Sequence, residues 1–301
     1  MGELDPIAKT LLREAPADFA RLALGRDVRI RAVQSVAGDL QTLKRRADRL
    51  LRIELEGEAE PYWVHYEVQA SWKADVPRRV FDYWSLISRQ FQRTKSVVLC
   101  LQQGNKQGTP RDHYEVSVLG RRVLRFDFEV LCAWRDLDAN QILEEGVIGL
   151  IPLLPFCAGC REESVERGLR ALARVVSEGR KRELRIALAA SANRVFPDGN
   201  WLAKITKEEL MESTTWRDLM AEATEKAKAE GELAGWRSAL TSQIAERLPA
   251  EGLSIVPLLE LADPESLRQA ARLVAQLRSD AELVAALREV LGKPQAEHPP
   301  S

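Results

Sequence analysis

Residues 96–101 read Ser-Val-Val-Leu-Cys-Leu, an apolar run with no polar alternation after its first residue. A strand of this kind is covered on both faces, which places it inside a sheet with parallel neighbours. Parallel neighbours are joined only through a crossover of about a dozen residues or more. The chain just upstream supplies one: Val80, Trp84, Ile87 and Phe91 recur at helical spacing over residues 77–93. Helix followed by a two-sided strand predicts the α/β class.

The flanking segments extend this frame. Leu51, Ile53 and Leu55 alternate with Arg52, Glu54 and Glu56, and an acidic turn over 57–61 leads into the aromatic and β-branched stretch 62–69. This predicts a hairpin. Asp5 and Pro6 open a helix, Pro16 interrupts it, and a second helical stretch ends at Gly25. Residues 6–101 therefore read helix, three strands, helix, strand. Two more strands are expected over 114–119 and 123–134, joined through Gly120, and the chain past Asp136 reads as helical.

Length and charge divide the chain further. Its 301 residues suit about two domains. The net charge of −1 conceals a difference between halves: residues 205–301 carry 11 basic and 17 acidic side chains, leaving 33 and 28 for residues 1–204. The expected organisation is a mixed sheet flanked by helices over 1–155, a helical connector over 156–204, an acidic α-helical region over 205–293 and a disordered tail over 294–301. Residues 161–192 read as one long arginine-rich amphipathic pattern, and Thr206 with Glu209 and Ser279 with Glu282 form capping-box signatures.

Several classes are set aside. The most apolar window, residues 146–159, is short and cut by Pro152 and Pro155, so it predicts a buried loop or short helix and no membrane partner. Acids stand where a secretory leader needs a basic start, and the expected location is cytoplasmic. Four cysteines are too few for a disulfide framework, and the Cys157/Cys160 pair has no partner pair for zinc, so both read as small apolar side chains. Basic residues concentrate in residues 41–53 and 76–95, each netting +4, a pattern suited to a polyanion and equally to solvated surface.

Chemistry concentrates on residues 62–69. Alternation puts His65, Glu67 and Gln69 on one face and Val64, Tyr66 and Val68 on the other. A hairpin of this length can bring Asp48, 19 residues before Glu67, beside it. Two adjacent carboxylates repel unless a cation lies between them, and a hard divalent ion such as Mg²⁺ suits that place. Asp127 and Glu129 form another same-face acidic pair, but with Phe126, Phe128 and Val130 opposite they read as a solvated outer face. Trp63, Trp72 and Trp84 read as core, with stacking on unpaired bases as the rival use.

The arrangement Asp48, then Glu67-Val68-Gln69, in this order of elements resembles the PD-(D/E)XK nuclease core. More narrowly, RRADRLLRIEL, YWVHYEVQAS and DVPRRVFDYWSLI are similar to the Rpn family of recombination-promoting, transposase-like nucleases, over residues 5 to about 155. The resemblance implies a restriction-endonuclease-like fold and Mg²⁺-dependent DNA cleavage of low sequence specificity, with Mn²⁺ as a substitute ion, in recombination, mobile-element or defence settings. It implies Asp48 and Glu67 as metal ligands with the Val68 carbonyl, Gln69 as the group orienting water, Glu14 (with Asp18 nearby) as an additional acid, and Arg78, Arg79 and Tyr83 as phosphate contacts. Gln69 stands where the wider superfamily has lysine, so the site lacks that positive charge. The rival reading is a weak or inactive relative serving as a DNA-binding or protein-interaction module, with the C-terminal helices associating copies of the chain.

Overall fold

The computed structural model describes residues 4–25, 27–38, 47–103, 110–249, 252–276 and 279–291. It divides into two compact units, residues 1–220 and 221–301.

In the first unit, α1 (Asp5–Glu14) and α2 (Pro16–Leu24) precede β1 (Ile30–Gly38), β2 (Ala47–Leu55) and β3 (Tyr62–Ser71). Then come α3 (Val76–Gln90) and β4 (Thr94–Gln102). The ribbon strands β5 (His113–Val118) and β6 (Arg121–Asp127) follow, and β7 (Glu129–Cys132) completes a five-stranded sheet in the order β1-β2-β3-β4-β7. β1, β2 and β3 pair antiparallel, whereas β3–β4 and β4–β7 are parallel, so the sheet is mixed. The apolar run 96–101 sits at the parallel side, with α3 as the crossover. Gly25, at φ +96°, ends α2 in a conformation that glycine adopts without strain.

Side-chain alternation sorts the sheet into two faces. Leu51, Ile53, Val64, Tyr66, Val97, Leu99 and Leu101 face α1 and α2, where Ile7, Leu11, Leu12 and Phe19 meet them. Tyr66 donates its hydroxyl to the carbonyl of Phe19 at 2.7 Å, so a fully buried phenol is satisfied on the core side. On the other face Val98, Cys100 and Cys132 pack under Val76 and Val80 of α3 together with Trp72 and Phe128.

The expected strand 123–134 is two strands. The break falls at Phe128, whose N–H donates to the Asp112 carbonyl at 2.9 Å while its ring joins the α3-side core. β6 pairs with β5 in a separate two-stranded ribbon, and β7 turns to pair with β4. Alternation fits both strands, which is why pattern alone reads them as one.

The first unit also extends beyond the expected limit near residue 155. After α4 (Ala133–Asp136) and α5 (Ala139–Glu144), the window 146–159 forms a 3₁₀ segment, Ile148–Phe156, buried along its length. Gly149 lies against α1 and α2 so closely that a Cβ there would collide with the Ala15 Cβ and the Asp18 carboxylate. Asp18 accepts the Gly149 N–H at 3.0 Å. The long pattern 161–192 is divided into α6 (Glu162–Leu172) and α7 (Glu178–Val195), with the Ser177 hydroxyl capping α7. α7 is no surface connector: Leu184, Ile186, Leu188 and Ala192 are buried in the same core as α1 and the 3₁₀ segment. Trp201, in a 3₁₀ turn, is fully buried there too. α8 (Lys207–Glu212) starts with the Thr206/Glu209 capping box, and the first turns of α9 (Thr214–Arg247) close the unit.

The second unit packs Leu240 and Ile244 of α9, and Leu248 just after it, with α10 (Gly252–Leu261), α11 (Pro264–Gln276) and α12 (Asp280–Leu291). Arg237 donates to the carbonyls of Leu259 and Ala262 at 3.1 Å each, closing the end of α10. The expected tail over 294–301 lies outside the described residues. Among the described residues no helix is long and apolar enough to cross a membrane.

Candidate active site

The polar residues of β3 gather on the face covered by α3. His65 and Glu67 are buried there, and Gln69 is half-buried. α3 runs back over β3, because a short turn separates them. Tyr83 therefore lies over His65, ring centroids 5.4 Å apart, and Arg79, one turn earlier, lies over Glu67. Val76, Val80 and Ile87 press the helix onto the sheet and hold Arg79 and Tyr83 along the flank of that apolar stripe.

Glu67 is the hub. Its Oε1 accepts from Arg79 Nη2 at 2.8 Å and from Gln69 Nε2 at 2.7 Å. Gln69 Nε2 also approaches the Val68 carbonyl at 3.1 Å. The other arm of Arg79, Nη1, donates to Asp75 Oδ2 at 3.1 Å, so one guanidinium joins two carboxylates. His65 Nδ1 lies 3.4 Å from Ser96 Oγ, its partner across the parallel β3–β4 register.

Asp48 belongs to β2, and its side chain lies outside the described residues. The backbone register still constrains it. Leu50 pairs with His65 and Leu51 with Val64, an antiparallel ladder in which each step back along β2 is a step forward along β3. The paired residues end at Leu50 and His65, and counting two residues further along each strand reaches Asp48 and Glu67. The basic residues Lys44, Arg45 and Arg46 lie outside the described residues.

The other candidates divide. Arg79 and Tyr83 reach the cluster, whereas Arg78 is exposed and pairs with Asp82 at 4.0 Å. Glu14 is on α1, the layer against the opposite face of the sheet, where Arg13 Nε donates to it at 2.8 Å. Asp18 serves Gly149, as described above, and neither joins Glu67. Asp127 is exposed beside Arg125, and Glu129, now on a different strand, pairs with Lys95 at 2.5 Å. Trp63 stacks on Phe91, Trp84 packs on Phe126 and Trp72 is buried, so all three tryptophans are engaged in packing.

Asp75 and Ser96 are cluster members that sequence reasoning missed. Asp75 carried a signal, since an acid four residues before Arg79 on a helix start forms an i,i+4 pair. Ser96 carried none, because its place depends on the β3–β4 register.

The oxygen donors around Glu67, namely its carboxylate, the Val68 carbonyl and the Gln69 amide, are of the kind that hard divalent cations take. Among the described residues no group of three His, Cys, Asp or Glu side chains assembles. Asp48 is therefore the position on which a second carboxylate depends. The cysteines near the cluster offer no nucleophile at neutral pH: burial, with Cys132 beside it, pushes the Cys100 thiol up to about 12, and burial raises Cys132 as well. In the Cys157/Cys160 pair burial likewise raises both thiols, Cys160 to about 11.

Compared with protein-family models, curated proteins and solved structures, the chain matches none.

Proposed function

We propose that residues 1–220 form a metal-dependent phosphodiesterase of the restriction-endonuclease-like kind, acting on DNA with little sequence specificity. The observation that carries this reading is the cluster on the α3-covered face of β3: a buried carboxylate, Glu67, bonded to Gln69 and facing a basic helix. The β2–β3 register supports Asp48 as its carboxylate partner. Glu67 and Asp48, with the Val68 carbonyl, are the residues that hold Mg²⁺ or Mn²⁺. The bound ion supplies Lewis acidity at a phosphoryl oxygen and makes water a stronger acid.

This chain's own residues do the positioning. Gln69 fixes the orientation of Glu67 and presents its amide to the attacking water, but brings no charge. Arg79 supplies the positive charge that Gln69 lacks, and with Tyr83 it meets the phosphate from the flank of α3. Glu67 itself is buried against the α3-side core, which strengthens the interactions it makes.

A second reading takes the Glu67–Arg79–Asp75 bridge as an architectural pin for α3 in a nucleic-acid or protein-binding module. The engagement of Glu67 with a resident cation is what favours it. Supercoiled plasmid incubated with the full chain and Mg²⁺, beside EDTA and Glu67→Ala controls, separates the two. Nicking that requires metal and falls about 100-fold or more in Glu67→Ala is the expected result. A folded protein that leaves the plasmid intact with both Mg²⁺ and Mn²⁺ overturns the nuclease.

A further inference from the structure

Arg79 shares its guanidinium between Glu67, at 2.8 Å through Nη2, and Asp75, at 3.1 Å through Nη1. The Glu67 side chain is 9% exposed and that of Arg79 is 21% exposed, so the pair is largely withdrawn from water while the guanidinium keeps a route outward. At this burial the Coulomb attraction exceeds that of a surface pair, and losing either partner leaves a charge buried and uncompensated. It also sets the guanidinium against any second cation at Oε1. A guanidinium on Oε1 occupies lone pairs that a divalent ion needs, and the two cations repel at this separation. Asp75, at the N-cap of α3 and half-buried, offers the arginine a second place to stay.

From this geometry we infer that Arg79 is an exchangeable counter-ion of Glu67, the natural competitor of a divalent metal for that carboxylate. When metal engages Glu67, the guanidinium leaves Oε1, Asp75 retains it at the rim, and its released arm faces the phosphate of a nucleic acid. Metal at Glu67 and polyanion at Arg79 then favour one another, because each binds the arrangement that the other stabilises, and the coupling is reciprocal. The inference rests on the metal-dependent reading of Glu67 and deepens it: the resident ion pair sets the metal affinity and links it to substrate.

Mn²⁺ binding to the full chain, read by loss of the free-ion paramagnetic resonance signal, tests this without activity. Arg79→Met is expected to bind Mn²⁺ about tenfold tighter than wild type, the scale of one lost charge-assisted hydrogen bond. Asp75→Asn is expected to bind it more weakly, since Arg79 then has Glu67 as its remaining carboxylate in this bridge. Glu67→Gln is expected to lose the site, and Arg79→Met added to Glu67→Gln to restore nothing. Arg79→Met binding no tighter than wild type, with Glu67→Gln still deficient, overturns the exchange and leaves the metal site standing. Binding indifferent to Glu67→Gln overturns the metal site as well. Should Arg79→Met fail to fold, Asp75→Asn decides: unchanged or tighter Mn²⁺ binding overturns the inference.

Discussion

Thr215 gives Glu183 two hydrogen bonds to a single oxygen, its amide at 2.9 Å and its hydroxyl at 2.6 Å. Ser213 Oγ adds a third to the same oxygen at 2.9 Å, and the Thr214 N–H reaches the other at 3.1 Å. Thr215 Oγ1 also lies 2.7 Å from Thr10 Oγ1. A carboxylate on α7 thus caps the start of α9 and ties it to α1, with the buried acid satisfied by the helix N–H groups that otherwise lack partners.

Burial pushes the Glu183 carboxyl up, and the bonds from Thr215, Ser213 and Thr214 outweigh it, leaving the acid below its ordinary range. A lowered acid stabilises the fold fully above its unfolded pKa of about 4.3, and that contribution is lost as pH falls through the folded value. Glu183→Gln is expected to cost about 3 kcal/mol at pH 7, because the amide turns a donor toward donors. Denaturant melts should show a constant gap between the two proteins from about pH 7 to 5, closing below about pH 4.

Gly149→Ala is expected to destabilise the first unit by about 2–3 kcal/mol, since the new methyl meets Ala15 and Asp18 in a packed seam. Gly179 has open space around its Cβ position. Gly179→Ala on α7 should therefore melt at or slightly above wild type. Thermal unfolding of the pair checks the seam, and equal melting temperatures would count against it.

Ending the chain at residue 220 is expected to leave a cooperatively folding unit, whereas ending it at 200 should not. The shorter piece loses the fully buried Trp201 and all the Ser213, Thr214 and Thr215 donors to Glu183. Removing a core tryptophan side chain alone costs about 3–5 kcal/mol. Circular dichroism melts of the two fragments decide this.

Gln69→Ala is expected to lower plasmid cleavage by about 10- to 100-fold while changing stability by about 1 kcal/mol or less. The side chain is half-buried and bonds to Glu67 and the Val68 carbonyl, so its removal loosens the acid without opening the core. Equal losses in cleavage and in folded fraction would make its role structural.

Local chemistry, legible in the sequence, determined much of this protein. The period of two over residues 62–69 put His65, Glu67 and Gln69 on one face, the helical stripe through Val80 and Ile87 defined α3, and the apolar run after it demanded a covered, parallel strand. These follow from side-chain geometry within a few residues, and the capping box at Thr206 is of the same kind. Tertiary structure decided what those faces meet. Whether alternation over 123–134 is one strand or two depends on β4 having an edge for β7. Whether α7 is a connector or core depends on α1 and the 3₁₀ segment, far away in the chain. Glu67 meets Arg79 because α3 folds back over β3 at one particular register, and Glu14 goes to the other face because α1 packs there. Each is a contact between distant segments, chosen by the sum of packing over the whole unit, and no periodicity encodes it.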